Sequence, residues 1–163
     1  MSIKTLKDLF IHALSDVYSA EKQITKALPK LARAASSEDL ANAFKAHLEE
    51  TQGQIERLDK LVENTPEVRI KRIKCLAMEG LIEEGQEVID SVEAGAVRDA
   101  GLIAAAQKVE HYEIATYGTL CALAEQLGYT TAKKLLGETL EEEKSTDSKL
   151  TLLAEKKVNQ KAA

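Results

Sequence analysis

The sequence predicts an all-α fold of five helices, in which four long helices form a bundle and a long crossover contains the additional one. Three observations support this class. Ala, Leu, Glu and Lys dominate the composition and aromatic residues make up only 4% of it, which is typical of helices. Apolar residues recur at spacings of three and four over long stretches, and clusters of turn residues separate those stretches. A chain of 163 residues fits one domain, so we expect a single domain spanning residues 1–163.

The first two predicted helices form a hairpin. The first begins at Thr5, since its hydroxyl and the Asp8 side chain three residues later match a capping box. It continues to about residue 35, and Pro29 is expected to kink it. Ser36 and Ser37 end the first helix and cap the second, which ends at the breaker residues 64–66.

Three further helices follow. Gly128 is placed to provide the left-handed residue that ends the fourth helix, and Thr130 or Thr131 caps the fifth. The ranges that these signals predict are 76–95 for a short third helix, 97–127 for the fourth and 130–157 for the fifth.

The lengths of the connections predict the topology. The turns between helices one and two and between helices four and five are short, so each pair must be antiparallel. The middle connection, about 65–96, is long enough to cross from one end of a bundle to the other and contains the third helix. Two hairpins joined in this way describe a ferritin-like four-helix bundle with an additional helix.

Charge and hydropathy exclude several classes of partner. The net charge of -5, with acidic groups spread along the whole chain, argues against nucleic-acid binding, which needs clustered basic residues. No uncharged run approaches the roughly 20 residues of a membrane span, and the N-terminus does not resemble a signal peptide. Cys75 and Cys121 match no metal or redox spacing. We therefore expect a soluble cytoplasmic protein that binds neither nucleic acid nor membranes.

Several acidic residues occupy positions where the helical pattern calls for apolar side chains. Glu21 in the first helix, Glu113 in the fourth and Glu143 in the fifth each lie on the apolar seam. Glu110 lies one turn before Glu113 on the flank of that seam. The apolar stripe of the second helix is broad, and four polar residues interrupt it: His47, Glu50, Thr51 and Gln54.

These acids lie near the middle of their helices, so antiparallel packing should bring them to one level of the bundle. An unpaired buried carboxylate costs several kcal/mol, and a cluster of carboxylates repels itself. The inward positions at this level contain no Lys or Arg, which leaves protons or divalent cations as compensation. Carboxylates from four helices are how bundles hold two metal ions. The alternative is that each acid lies at a seam edge with its carboxylate in water.

Four segments of the chain carry a resemblance to a known family. Together they cover most of the helical sequence: DLFIHALSDVYSAEKQI, AFKAHLEETQGQIERL, KCLAMEGLIEEG and AAAQKVEHYEIATYGTLCALAEQLGY. The chain resembles the YciF-like family of bacterial stress-induced proteins within the ferritin-like superfamily. This resemblance implies a five-helix, homodimeric protein related in fold to rubrerythrins and ferritins, without a settled activity.

The resemblance also implies a ligand set for two iron ions, or manganese, in each chain. Glu21 matches the lone glutamate of the first core helix, and the pair Glu110 and Glu113 looks like the Glu-x-x-Glu of rubrerythrins. Gly53 and Thr146 occupy the two positions where the superfamily pattern has histidine. The candidate ligands, counting the oxygen donors one residue beyond those positions, are Glu21, Glu50, Gln54, Glu110, Glu113, Glu143 and Asp147.

Some assignments stay open from the sequence. Of the three histidines, only His47 is a plausible substitute ligand, and a small rotation of the fifth helix would replace Glu143 with Glu142. Tyr18 and Tyr117 each lie one turn from a candidate ligand and could donate to a ligand carboxylate or pack in the core.

Two functions fit these residues. The first is a dinuclear carboxylate centre that acts on oxygen or peroxide or handles iron under stress. The second is a noncatalytic structural or interaction protein on a ferritin-like scaffold whose metal site has decayed. A homodimer is expected under both, because the helices carry more apolar residues than one bundle core uses.

Overall fold

The computed structural model describes residues 2–163, and the regular secondary structure in that range is helical, with no strand in it. A π-helical turn at Ala154–Val158 joins the fifth helix to a short sixth one. The elements are α1 (Leu6–Ala34), α2 (Glu38–Glu63), α3 (Leu76–Ser91), α4 (Ala96–Gln126), α5 (Thr130–Leu153) and α6 (Asn159–Ala162). The predicted all-α class is confirmed.

Four helices form the bundle, and α3 packs outside it. The hairpins α1–α2 and α4–α5 pack against each other through contacts of α2 with α5 and of α1 with α4. The crossover between α2 and α4 contains α3, which lies against α4 and α1. This arrangement confirms the predicted bundle with an additional helix in its long connection. No helix in the described part of the chain is both long and apolar enough to cross a membrane.

The crossover is fastened to one face of α1. The Ser15 hydroxyl accepts a hydrogen bond from the Lys71 backbone N–H at 2.9 Å, and the Ser19 hydroxyl accepts one from the Cys75 N–H at 3.0 Å. The Gln23 side chain donates to the Cys75 carbonyl at 3.0 Å. Since these three side chains are spaced four residues apart, they share one helical face and hold the crossover along α1.

The helix ends agree with the sequence signals in most cases. Thr5 and Asp8 form the predicted capping box, and the Ser37 side chain caps α2. The prediction that α3 ends near Gly95 is wrong, because α3 ends at Ser91. Gly95, at φ 145°, instead lies at the N-cap of α4.

The predicted cap of α5 is wrong for a local reason. Gly128 adopts a φ of 73°, and the N–H of Tyr129 donates to the carbonyl of Ala124, which is the Schellman pattern of a helix C-terminus. Because this turn is so short, α5 begins at Thr130, directly after Tyr129. The N-cap of α5 is therefore Tyr129, which makes no capping hydrogen bond through its side chain, and neither Thr130 nor Thr131 caps the helix.

Two apolar clusters fill the bundle, and a polar layer separates them. On α1, the apolar residues Phe10 to Val17 belong to one cluster and those from Ala20 to Leu28 to the other. The same division occurs on α4, where Leu102 to Ala106 pack in one cluster and Tyr117 to Ala124 in the other. The acidic seam positions lie between the two clusters.

One buried acid has a purely structural environment. Asp99 on α4 is 2% exposed, and its two oxygens accept the backbone N–H groups of Ser36 and Ser37 at 2.8 and 2.7 Å. These N–H groups belong to the turn that precedes α2, so Asp99 joins the two hairpins and places a carboxylate at the N-terminal end of that helix.

Replacing Asp99 with Ala should lower the free energy of unfolding by about 2 kcal/mol, since two backbone N–H groups lose a charged acceptor. Urea unfolding measures this change. Asp90→Ala, which removes an exposed acid on α3, is the matched control and should change the free energy by less than about 0.5 kcal/mol. Equal effects of the two substitutions would contradict the role given to Asp99.

Candidate metal centre

The polar layer between the two apolar clusters is formed by side chains from the four bundle helices. Its members are all fully or nearly fully buried: Glu21 from α1, His47 and Gln54 from α2, Glu110 and Glu113 from α4, and Glu143 from α5. We call these six residues the His–Glu layer. Five of the seven candidate ligands from the sequence are thus brought together, and Glu50 and Asp147 lie outside.

Four residues of the layer form a compact group. One potential ligand atom from each of His47, Glu110, Glu113 and Glu143 lies within 4.8 Å of all the others. The Nδ1 of His47 is 3.2 Å from Glu110 Oε1, and its Nε2 is 3.9 Å from Glu143 Oε2. Side chains from three helices therefore converge on a volume that one cation could occupy.

Glu21 and Gln54 border this group. The Tyr117 hydroxyl donates to Glu21 Oε1 at 2.5 Å, as one of the two sequence alternatives for this tyrosine predicted. The other tyrosine of that prediction, Tyr18, donates to Asp59 instead. The Gln54 amide nitrogen donates to Glu143 Oε1 at 2.5 Å, and its amide oxygen has no partner. Tyr117 and Gln54 thus each fix the position of a carboxylate in the layer.

The two remaining candidates lie at the edge of the bundle. Glu50 is half-buried and accepts a hydrogen bond from the Thr146 hydroxyl at 3.0 Å. Asp147 lies 3.2 Å from the exposed His111 and accepts a weak hydrogen bond from Gln107 at 3.3 Å. Both carboxylates therefore have polar partners near the surface, in contrast to those of the layer.

Glu142 and Glu143 have different surroundings. Glu143 is buried in the layer, whereas Glu142 receives two hydrogen bonds from Arg57, at 2.8 and 3.0 Å. Burial acts to raise the pKa of Glu142, but hydrogen bonds from Arg57 and Gln54 lower it below its usual range. The charge of Glu142 is thus compensated by Arg57, and Glu143 is the α5 carboxylate that faces the layer.

Burial and mutual repulsion control protonation in the layer. Burial, together with the charge of Glu143, raises the pKa of Glu21 to about 8. Burial also raises the pKa values of Glu110 and Glu113 well above the usual range, and the neighbouring carboxylates add to the effect. The pKa of His47 is lowered by burial, although nearby carboxylates act against this. Without a cation, protons must therefore reduce the negative charge of the layer.

The unpartnered polar atoms test whether these residues fit a metal ion. Buried polar atoms are almost always hydrogen-bonded in folded proteins. Within residues 2–163, the buried side-chain atoms that lack a partner all belong to this layer: Glu21 Oε2, His47 Nε2, Gln54 Oε1, both oxygens of Glu110, both of Glu113, and Glu143 Oε2. Carboxylate oxygens with an imidazole nitrogen suit divalent iron or manganese, so the atoms present could hold such an ion.

His47 shows where sequence reasoning was incomplete. The family pattern directed attention to Glu50 as the carboxylate of the second helix, and His47 was only a possible substitute. His47, Thr51, Gln54 and Leu58 follow one another at steps of four and three, and all are buried. That periodicity was the available signal, and the breadth of the polar stripe around it concealed the inward face.

Comparisons with known proteins agree with this fold. The family described as "Domain of unknown function (DUF892)" matches residues 5–163. Protein YciF of Escherichia coli (strain K12) is 69% identical over 162 residues, which are 99% of this chain and 98% of that protein. The crystal structure of the E. coli stress protein YciF aligns with a TM-score of 0.95, covering 98% of this chain and 100% of that chain.

Two other solved structures are similar. YcfI from Rhodopseudomonas palustris is 46% identical and aligns with a TM-score of 0.88, covering 92% of this chain and 95% of its own. A protein from Xanthomonas campestris pv. campestris is 20% identical, with a TM-score of 0.76 and coverage of 96% and 95%. The latter similarity concerns the fold alone.

The metal-free protein should become less stable as the pH rises from 5 to 8. Glu21, Glu110 and Glu113 have pKa values near 4.5 when unfolded and higher values when folded, so the folded chain binds more protons in this range. Their contribution is complete below about pH 4.5 and is lost as the pH passes the folded pKa values. Each group lowers the free energy of unfolding by at most about 1.4 kcal/mol per pH unit, and this sets the slope of stability against pH. The lowered pKa of His47 opposes this trend below about pH 6.5, where the unfolded chain binds a proton that the folded chain does not.

Urea unfolding of the metal-free protein at several pH values measures this slope. Glu113→Gln should flatten it, since glutamine resembles the protonated acid at every pH. Glu141→Gln changes an exposed acid of α5 and should leave the slope as in the unsubstituted chain. A flat profile for the unsubstituted chain would mean that the layer does not hold protons as described.

Proposed function

The chain belongs to the DUF892 family, and we propose that it is a stress-response protein whose His–Glu layer binds two divalent iron or manganese ions. The observation that carries the proposal is the convergence of buried carboxylate and imidazole atoms that have no hydrogen-bond partner. Such atoms are costly to bury. Bound divalent cations would compensate these atoms.

Charge balance supports two ions in preference to one. The layer contains four carboxylates, from Glu21, Glu110, Glu113 and Glu143, and no Lys or Arg is buried anywhere in residues 2–163. Two divalent cations would neutralise four carboxylates, whereas one would leave two buried charges. His47, Glu110, Glu113 and Glu143 would supply one group of ligands, and Glu21 would extend the site towards α1.

The chain's own residues around the layer hold the ligands in place. The Tyr117 hydroxyl donates to Glu21, and burial raises the pKa of this tyrosine, so it remains a neutral donor. Within the layer, Gln54 donates to Glu143 and orients it. Two iron or manganese ions held in this way would supply redox chemistry with oxygen or peroxide, and the buried position limits the access of water to them.

A second candidate function is a structural or interaction role without metal. The absence of histidine at positions 53 and 146 favours it, and the description of the relative YcfI proposes a structural role for that protein. The two functions differ in whether the layer retains metal, so one measurement separates them.

Metal loading tests the proposal directly. Metal-free protein incubated with Fe(II) without oxygen, or with Mn(II), should retain about two ions per chain after desalting, counted by elemental analysis. Glu113→Ala should reduce retention to a trace, since it removes a ligand at the centre of the group, and Glu141→Ala is the exposed control. Retention of only a trace by the unsubstituted chain would favour the structural role. Unchanged retention by Glu113→Ala would contradict the ligand assignment.

The same loaded protein tests reactivity. After oxygen or peroxide is admitted to the Fe(II) form, the near-ultraviolet absorption should rise as the iron is oxidised, and faster than for free Fe(II) under the same conditions. Equal rates with and without protein would restrict the proposal to metal binding.

The support from Tyr117 gives a further prediction. Tyr117→Phe should lower metal affinity at least about tenfold and leave the number of bound ions unchanged, because groups that orient ligands contribute to affinity by this amount. Competition with a coloured chelator measures the affinity. Tyr18→Phe removes a hydroxyl bonded to Asp59 at the surface and is the matched control. Equal affinities of the two variants would show that Tyr117 does not act on the site.

A further inference from the structure

A cavity of about 270 Å³ lies between α1, α3 and α4, and it opens to the surface on one side. Most of its wall is apolar, with side chains from all three helices. Small residues create the space where the helices meet: Ala27 on α1, Gly85 on α3, and Ala105 and Ala106 on α4. Because protein interiors are otherwise close-packed, an apolar space of this size is a candidate ligand site.

The inner end of the cavity reaches the His–Glu layer. His47 and Glu110 line it, and they are 4% and 0% exposed. Both carry buried polar atoms that have no hydrogen-bond partner, namely His47 Nε2 and the two oxygens of Glu110. The cavity thus runs from the surface to the side chains of two candidate ligands, whose polar atoms stay buried behind its wall. A molecule inside it would lie next to these side chains.

The outer end is positively charged. Lys26 and Lys30, one turn apart on α1, line the cavity and are exposed. Neither forms a salt bridge with any acid in the described residues 2–163. Since the inner end contains the acidic layer, the cavity changes from basic at its mouth to apolar along its wall and acidic at its inner end. An anionic group is favoured only at the mouth.

We propose that this cavity binds a medium-chain aliphatic carboxylate, with the carboxylate at Lys26 and Lys30 and the alkyl chain pointing towards His47 and Glu110. An apolar cavity of 150 Å³ holds benzene, so a space of 270 Å³ accommodates about ten heavy atoms on the same scale. Octanoate has this size, and decanoate fits when its carboxylate lies at the mouth. The inference deepens the proposed function, because it identifies the class of molecule whose chain end would lie next to the metal ions.

Titration of the metal-free protein with decanoate, followed by calorimetry, tests the proposal without depending on metal. One decanoate should bind per chain. Shortening the ligand should weaken binding by about fourfold for each methylene group removed, since each buried methylene contributes about 0.8 kcal/mol. Metal retention can fail while decanoate still binds, and decanoate binding can fail while metal is retained, so the two proposals are judged separately.

A pair of glycines on α3 provides matched variants. Gly85→Leu places a side chain in the cavity and should weaken decanoate binding at least about tenfold. A Cβ at Gly85 would meet Ala105 and Leu31 at 3.8 Å, an ordinary contact, so the backbone can accept a side chain there. Gly80→Leu adds the same side chain in open space on the same helix and should leave binding unchanged. Circular dichroism shows whether both variants fold.

A second pair tests the orientation of the ligand and does not alter the core. Replacement of Lys26 and Lys30 with Glu should weaken decanoate binding at least about tenfold and change decanol binding much less. Replacement of the exposed Lys7 and Lys22 with Glu, on the same helix, is the control for charge. If the first pair affects both ligands equally, the carboxylate does not lie at the mouth and the proposal is wrong.

Two further results would overturn the inference. One is the absence of saturable decanoate binding by the folded, unsubstituted chain. The other is equal decanoate affinity of Gly85→Leu and Gly80→Leu. If Gly85→Leu instead changes only the sedimentation coefficient, the cavity is covered by a second copy of the chain and does not bind a carboxylate.

Discussion

The burial of four carboxylates at one level of the bundle is the constraint on which the rest of the structure depends. Glu21, Glu110, Glu113 and Glu143 are each 0% exposed, and their mutual repulsion opposes folding unless protons or cations compensate it. The two apolar clusters on either side provide the burial that holds the layer together. The layer is therefore stable only because large apolar surfaces above and below it are removed from water.

Polar side chains in and next to the layer reduce this cost. Arg57 neutralises Glu142, and that acid, together with Glu143, accepts from Gln54. Asp99 has two backbone N–H partners and does not belong to the layer. The distinction separates buried acids that stabilise the fold from those that oppose it. Acids of the second kind are expected at functional sites, because selection for stability alone would replace them with apolar residues.

The sequence predicted the bundle and most of the layer, because both follow from local periodicity. Glu21, Glu113 and Glu143 interrupt narrow apolar seams, so their inward orientation was readable. The inward orientation of His47 was not readable. The polar stripe on α2 is broad, so several of its positions fit the inward face equally well. The start of α5 was misjudged because the turn through Gly128 consumes the residues that a side-chain cap would need. The cavity could not be predicted, since it depends on the distance between α3 and its neighbours.

The small residues of α3 and α4 show what α3, the helix outside the four-helix bundle, adds to the fold. A four-helix bundle encloses its polar layer on all sides, and any molecule larger than oxygen needs an opening. At Gly85, Ala105 and Ala106 the side chains are too small to fill the space between helices, although α3 lies against both α4 and α1. The crossover is held on α1 by Ser15, Ser19 and Gln23, so this gap is a consequence of how α3 is positioned. If α3 served only to cover the bundle, it would pack more closely, because filling an apolar space of this size would stabilise the fold.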